Sequence, residues 1–148
     1  MKFQNPSPGE IKALLERIHT VAVVGLSPDP DRPSYSVAMY LKNHGYRIVP
    51  VRPGGGEILG ERVYASLAEI PFPVDLVDHF RHRNFVGPHI DHAIVQKVPA
   101  VWMQEGVIDH DAAQRAKDAG ITVVMDLCML KEHRKAGLSS SGSFPPIR

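Results

Sequence analysis

Residues 21–34 read VAVVGLSPDPDRPS. An unbroken apolar run, Val21–Val24, meets Gly25 and then a polar, proline-rich turn. Val37, Ala38 and Leu41 follow at helical spacing, and Gly45 supplies a stop. A strand without polar alternation is covered on both faces, as in a parallel sheet. The stretch therefore predicts a buried strand over Thr20–Gly25 and a helix over Ser34–His44. The turn between such elements is where open α/β sheets hold phosphate groups, because helix N–H groups and the positive end of the helix dipole converge there.

The flanking sequence continues the pattern. Upstream, Ser7-Pro8-Gly9-Glu10 is a capping box, and Ile11, Leu14, Leu15 and Ile18 form an apolar stripe suited to lying on the sheet. Downstream, Tyr46–Arg52 reads as a second strand with an irregular end at Pro50. Pro53–Gly60 (PGGGEILG) reads as a shaped loop, and Ser66–Glu69 as a capping box opening one short helical turn. Val74–Phe80 is a third strand. Val86–Lys97 is a helix with Pro88 in its first turn. Ala100–Met103 is a fourth strand, Asp109 caps an alanine-rich helix to Ala119, and Ile121–Met125 is a fifth strand before a last helical stretch to Lys135. Five strands alternating with helices favour a three-layer, Rossmann-like α/β/α fold with a five-stranded parallel sheet. The expected order is 3-2-1-4-5, with the first strand in the middle. Residues 1–138 are expected to form one domain and residues 139–148 a loose tail.

In a parallel sheet the residues just past the strand ends meet in space. Here these are Gly25-Leu26-Ser27, Arg52-Pro53, Phe80-Arg81, Gln104-Glu105-Gly106 and Asp126-Leu127-Cys128. Gly25, lacking a Cβ, lets the backbone approach a phosphate, Ser27 and the following amides donate to it, and Arg32 adds a charge-assisted bond. GLSPDP has one glycine where the dinucleotide fingerprint has three. The second strand ends at Arg52, where an NAD site carries an acidic residue for the ribose hydroxyls. An arginine there suits an extra ribose phosphate, which NADP and coenzyme A (CoA) both carry.

The ordered set VAVVGLSPDPDRPSYSVAMYL, GYRIVPVRPGGGEILGERVYASLAEIP, VDLVDHFR, VWMQEGV and DLCMLKEH resembles the small CoA-binding-domain proteins. These are related to the CoA-binding domain of the succinyl-CoA synthetase α subunit. The resemblance runs from about Thr20 to His133 and implies a CoA or acyl-CoA ligand. Its adenosine-phosphate end would lie over Gly25–Ser34, near Arg52 and Pro53, with Phe80 and Arg81 flanking the nucleotide or pantetheine. The candidate binding residues are thus Gly25, Leu26, Ser27, Arg32, Ser34, Arg52, Pro53, Phe80, Arg81 and Gln104. Family members commonly read Val-Asn-Pro where this chain has Val51-Arg52-Pro53. The ligase-type relatives need further domains for which 148 residues leave no room. The expected function is a non-catalytic CoA-binding module that acts through a protein partner. The alternatives are an NADP-dependent oxidoreductase and an interaction protein with a vestigial crevice.

Other chemistry fits less well. A net charge of +1 gives no broad basic surface for nucleic acid or membrane. A single cysteine, Cys128, excludes an internal disulfide framework and fits a cytoplasmic setting. Thirteen prolines fit stiffened loops and a thermophilic source. The pairs His79/His82 and His89/His92 lack companion ligands, so no metal site is expected. Asp75 and Asp78, three apart in a strand, make a poor acid/base pair. Cys128, just past the fifth strand, is either a small apolar packing residue or a thiol able to exchange with the CoA sulfur.

Overall fold

The structure is a computed structural model describing residues 3–81 and 83–138. The tail expected over residues 139–148, and His82 of the His79/His82 pair, lie outside the described residues. The capping box forms as the sequence predicts: the Glu10 N–H donates to the Ser7 hydroxyl, the Ser7 N–H to the Glu10 carboxylate, and α1 runs Pro8–Arg17. Then follow β1 (Thr20–Val24), α2 (Pro33–Asn43), β2 (Arg47–Val51), the two-residue strands β3 (Glu57–Ile58) and β4 (Glu61–Arg62), and β5 (Leu76–His79). The chain continues through α3 (Arg83–Val95), β6 (Ala100–Met103), α4 (His110–Asp118), β7 (Thr122–Met125) and α5 (Met129–Lys135).

Strands β1, β2, β5, β6 and β7 form one parallel sheet, buried on both faces. Alternate side chains enter two cores. Val21, Val23, Ile48, Leu76, Trp102 and Val124 pack with α1, α2 and Met129 of α5. Ala22, Val24, Val49, Val77, Val101 and Met103 pack with α3 and α4. The three-layer parallel fold expected from the sequence is what forms.

The strand order corrects the expectation. It is β2-β1-β5-β6-β7, so the third parallel strand lies beside the first rather than beyond the second, and β5 takes the centre. The reason is the face on which each crossover runs. Right-handed crossovers on one face of a sheet all step the same way, and those on the other face step the opposite way. Helix α2 covers one face, whereas the β2–β5 connection lays Tyr64, Leu67, Ile70 and Phe72 on the other. The chain therefore turns back across β1 before continuing through α3 and α4 on that second face.

Three local expectations also change. Pro50 lies inside β2 without ending it, because β2 is an edge strand: the Pro50 carbonyl accepts the Tyr64 N–H on the outer side, so the missing proline donor faces away from β1. Helix α3 starts three residues earlier than Val86, which puts Pro88 in its interior. Ser66 does open a single 3₁₀ turn, Leu67–Glu69, but its hydroxyl bonds the Glu69 carboxylate at 3.4 Å instead of capping the backbone. The glycine-rich loop is a shaped hairpin, β3 against β4.

Asp75 and Asn5 each bond across a long sequence separation. Asp75 Oδ2 accepts the N–H groups of His19 (2.8 Å) and Thr20 (2.9 Å), locking the start of β1 to that of β5. The Asn5 side chain donates to the Met125 carbonyl and accepts the Met125 N–H, both at 2.8 Å, along the outer edge of β7. Replacing Asp75 by Ala is expected to cost about 2 kcal/mol, as two backbone donors lose a charged acceptor. A lowered urea midpoint at unchanged slope checks it.

Candidate functional site

The backbone leaves β1 toward the α2 face and leaves β5 toward the α3 face, so a crevice opens between their C-terminal ends. A cavity of about 480 Å³ lies there, lined by Gly25, Ser27, Arg32, Pro33, Ser34, Val37, Phe80, Gln104, Glu105, Val107 and Cys128. Of the sequence-predicted residues, Gly25, Ser27, Arg32, Ser34, Phe80, Gln104 and Cys128 are brought together on its wall. Leu26 turns into the core, and its carbonyl accepts Arg52 Nη1 at 3.3 Å. Arg52 and the exposed Pro53 stand at the end of β2, outside that wall.

The turn after β1 satisfies much of its own backbone. The Ser27 N–H donates to Ser34 Oγ (3.0 Å), the Asp29 N–H to Ser27 Oγ (3.0 Å), and the Asp31 N–H to Asp29 Oδ1 (2.9 Å). The expected row of free amides is thus replaced by a rigid turn held by serine and aspartate side chains. Anion-attracting character falls instead to the N-terminus of α2, which has no side-chain cap, and to Arg32, its N-cap residue. Gly25 also differs from its expected role. Its φ is +86°, and a Cβ there would stand 3.1 Å from Arg81 Cδ. The glycine makes room for the Arg81 side chain, whose guanidinium lies 5.5 Å from the Phe85 ring centroid.

Beneath the crevice, β5 ends in two buried ionisable residues, Asp78 and His79. Asp78 is fully buried; its Oδ1 accepts Gln104 Nε2 at 2.7 Å, and its Oδ2 has no partner among the described residues. Burial pushes its carboxyl up to about 7, against the opposing pull of the Gln104 bond and of a backbone bond with His79. His79 points to the opposite face, with neither ring nitrogen partnered among the described residues. Burial, reinforced by His89, pushes it down to about 3. Asp75 is at the far end of the sheet, so the two aspartates form no pair. The signal that marks Asp78 is a carboxylate inside an otherwise apolar central strand.

Cys128 is 9% exposed, packs in the α2-side core and also borders the cavity. Glu105 on the rim is held by Lys131 at 3.0 Å. Among the described residues, no three His, Cys, Asp or Glu side chains gather as a metal site, and no helix is long and apolar enough to cross a membrane.

The site is thus a cavity at the switch point of a Rossmann-like parallel sheet. The model of the CoA binding domain matches residues 19–134, and the chain belongs to that family. It is 41% identical over 131 residues to the uncharacterized protein YneT of Bacillus subtilis, covering 88% of this chain and 97% of that one. A 59-residue stretch is 36% identical to the ADP-forming acetate–CoA ligase II of Archaeoglobus fulgidus, covering 38% of this chain and 9% of the ligase. Among solved structures, a Thermus thermophilus protein superposes with a TM-score of 0.85 at 36% identity, covering 88% of this chain and 99% of that chain. A hypothetical protein of Pyrococcus horikoshii OT3 gives 0.85 at 32% identity, covering 92% and 99%.

Asp78 makes stability depend on pH. Its carboxyl is raised in the folded protein, so between about pH 4 and pH 7 the native state holds a proton that the unfolded chain releases. Stability therefore falls as pH rises through that window and levels off above it. Asp78→Asn removes the dependence, so its stability relative to the parent is expected to grow across the window, by at most about 1.4 kcal/mol per pH unit. Urea unfolding of both proteins at either end of the window measures this.

Proposed function

We propose that this protein binds coenzyme A, free or acylated, across the C-terminal ends of β1, β5 and β6, and that it does so as a non-catalytic module working with a protein partner. The observation that carries the reading is the cavity at the β1/β5 switch point in a chain of the CoA-binding-domain family. The uncapped α2 N-terminus and Arg32 supply the pole for the pyrophosphate, and Arg81, lying over Gly25, supplies a second cation beside it. Arg52 at the end of β2 is on the side where the adenosine 3′-phosphate would sit. From there to Gln104 and Cys128 the cavity crosses from β1 over β5 to β6, about 10 Å, toward the thiol end of an extended ligand. Val37, Phe80 and Val107 give that end an apolar wall.

The acetate–CoA ligase stretch supports a share in holding the CoA part of such a reaction. It covers 9% of the Archaeoglobus protein, and the ligase chemistry does not come with it.

Thermal unfolding with CoA, acetyl-CoA, NAD and NADP tests the reading. CoA or acetyl-CoA at a hundredfold excess over Kd is expected to add about 2.7 kcal/mol, a rise of several degrees in Tm. NAD and NADP are expected to add nothing. Stabilisation by NADP alone, or by none of the four, overturns the proposal. Arg32 and Arg81 are both exposed, so Arg32→Ala and Arg81→Ala should each leave Tm of the free protein nearly unchanged while weakening CoA binding about tenfold. Calorimetry with unchanged affinity in both variants would remove these residues from the site.

A further inference from the structure

Gln104 stands between the cavity and the buried carboxyl below it. It is 4% exposed, borders the cavity, and spends its Nε2 on Asp78. An ionised carboxylate only accepts hydrogen bonds, so while Asp78 carries its charge the Gln104 amide must turn its NH₂ downward. Oε1 is then the end left for a ligand. A protonated Asp78 carries a donor of its own, and the amide is free to turn over, giving its carbonyl to Asp78 and its NH₂ to the cavity. Asp78 Oδ2 has no partner among the described residues, and against burial the ionised state is favoured by the Gln104 bond and a backbone bond with His79.

We propose that the Asp78–Gln104 pair is the specificity element of the cavity: Asp78 acts through Gln104 as a positioning residue, and its protonation decides whether the ligand meets a hydrogen-bond acceptor or a donor. The inference rests on the CoA reading, with the sulfur end of the ligand reaching Gln104. A free thiol offers a weak donor and a thioester carbonyl offers an acceptor. Ionised Asp78 thus favours the free thiol, and protonated Asp78 admits the thioester. The exchange is reciprocal: a bound thioester draws a proton onto Asp78.

Among the described residues, the surroundings leave this titration to Asp78 itself. Its neighbours across the sheet are Val23 of β1 and Trp102 of β6. His79 points to the other face; among the described residues the ionisable groups around the cavity are Arg32, Arg81 over Gly25, Glu105 with its partner Lys131, and Cys128 at the start of α5. Burial, the Gln104 amide and one backbone bond account for the state of the carboxyl, with no charged side chain among the causes.

Calorimetric titration of CoA and acetyl-CoA between about pH 5.5 and about pH 8 tests the proposal. The ratio of the two affinities cancels the titration of the phosphates that both ligands share. The preference for CoA over acetyl-CoA is expected to rise with pH by about threefold to tenfold, the worth of one exchanged hydrogen bond. In Asp78→Asn, whose amide serves as donor or acceptor at every pH, the ratio should not change with pH. Gln104→Met keeps the bulk, removes both amide ends and should also give a flat ratio, so the test survives if either variant fails to fold. A flat ratio in the parent protein, or a parent-like slope in a folded Asp78→Asn or Gln104→Met, overturns the proposal while leaving the CoA reading intact. Failure of both ligands to bind at any pH overturns both.

Discussion

The polypeptide leaves β1 on one side of the sheet and β5 on the other, and the two strands are hydrogen-bonded neighbours. Every feature of the site follows from that divergence. Backbones that part at the carboxyl ends of adjacent strands cannot fill the space between them. The hollow is bounded by the turn after β1, by Phe80 after β5 and by Gln104 after β6. The divergence itself comes from the β2–β5 connection, whose Tyr64, Leu67, Ile70 and Phe72 prefer the face opposite α2. A modest amount of apolar surface in an irregular segment thereby fixes which strands flank the crevice.

The two ends of the hollow differ in character. At the β1 end, side chains and helix geometry gather positive potential: the uncapped start of α2, Arg32, and Arg81 resting over Gly25. At the β6 end Gln104 and Val107 line the wall, Glu105 on the rim is held by Lys131, and burial raises the carboxyl of Asp78 beneath to about 7. Rigid polarity at one end and adjustable polarity at the other suit a ligand with a constant anionic part and a variable tip.

The layers, the parallel pairing and the placing of the hollow at the C-terminal end of β1 were legible in the sequence because each rests on local signals; its second flank, β5, was not. Unalternating apolar strands, capping residues such as Ser7 and Asp109, and stops such as Gly45 and Gly120 act within a few residues of themselves. Strand order was not legible, since it depends on which face the 52–75 connection covers, and that segment carries only one short turn to read. The wall residues Ser27 and Gln104 followed from strand ends, Arg32 from its place in the loop after β1, and Ser34 from the family resemblance. The internal pairing of the turn did not, because Ser27 and Ser34 meet only once α2 is in place. Gly25 shows the same limit: its need for a missing Cβ was readable, but the neighbour that requires it, Arg81, is 56 residues away. Asp78 makes a poor pair with Asp75, and its mark in the sequence is a lone carboxyl in a central apolar strand.

Strand β7 ends the sheet, and the main-chain groups of Met125 would face outward with nothing to bind were it not for Asn5. One primary amide there imitates the next strand, offering a donor and an acceptor at the right spacing while contributing no further rungs. The sheet is terminated by a mimic that cannot itself be extended. Trimming the chain past that asparagine would leave a template for strand addition, and molecules so shortened would tend to stack edge to edge into aggregates.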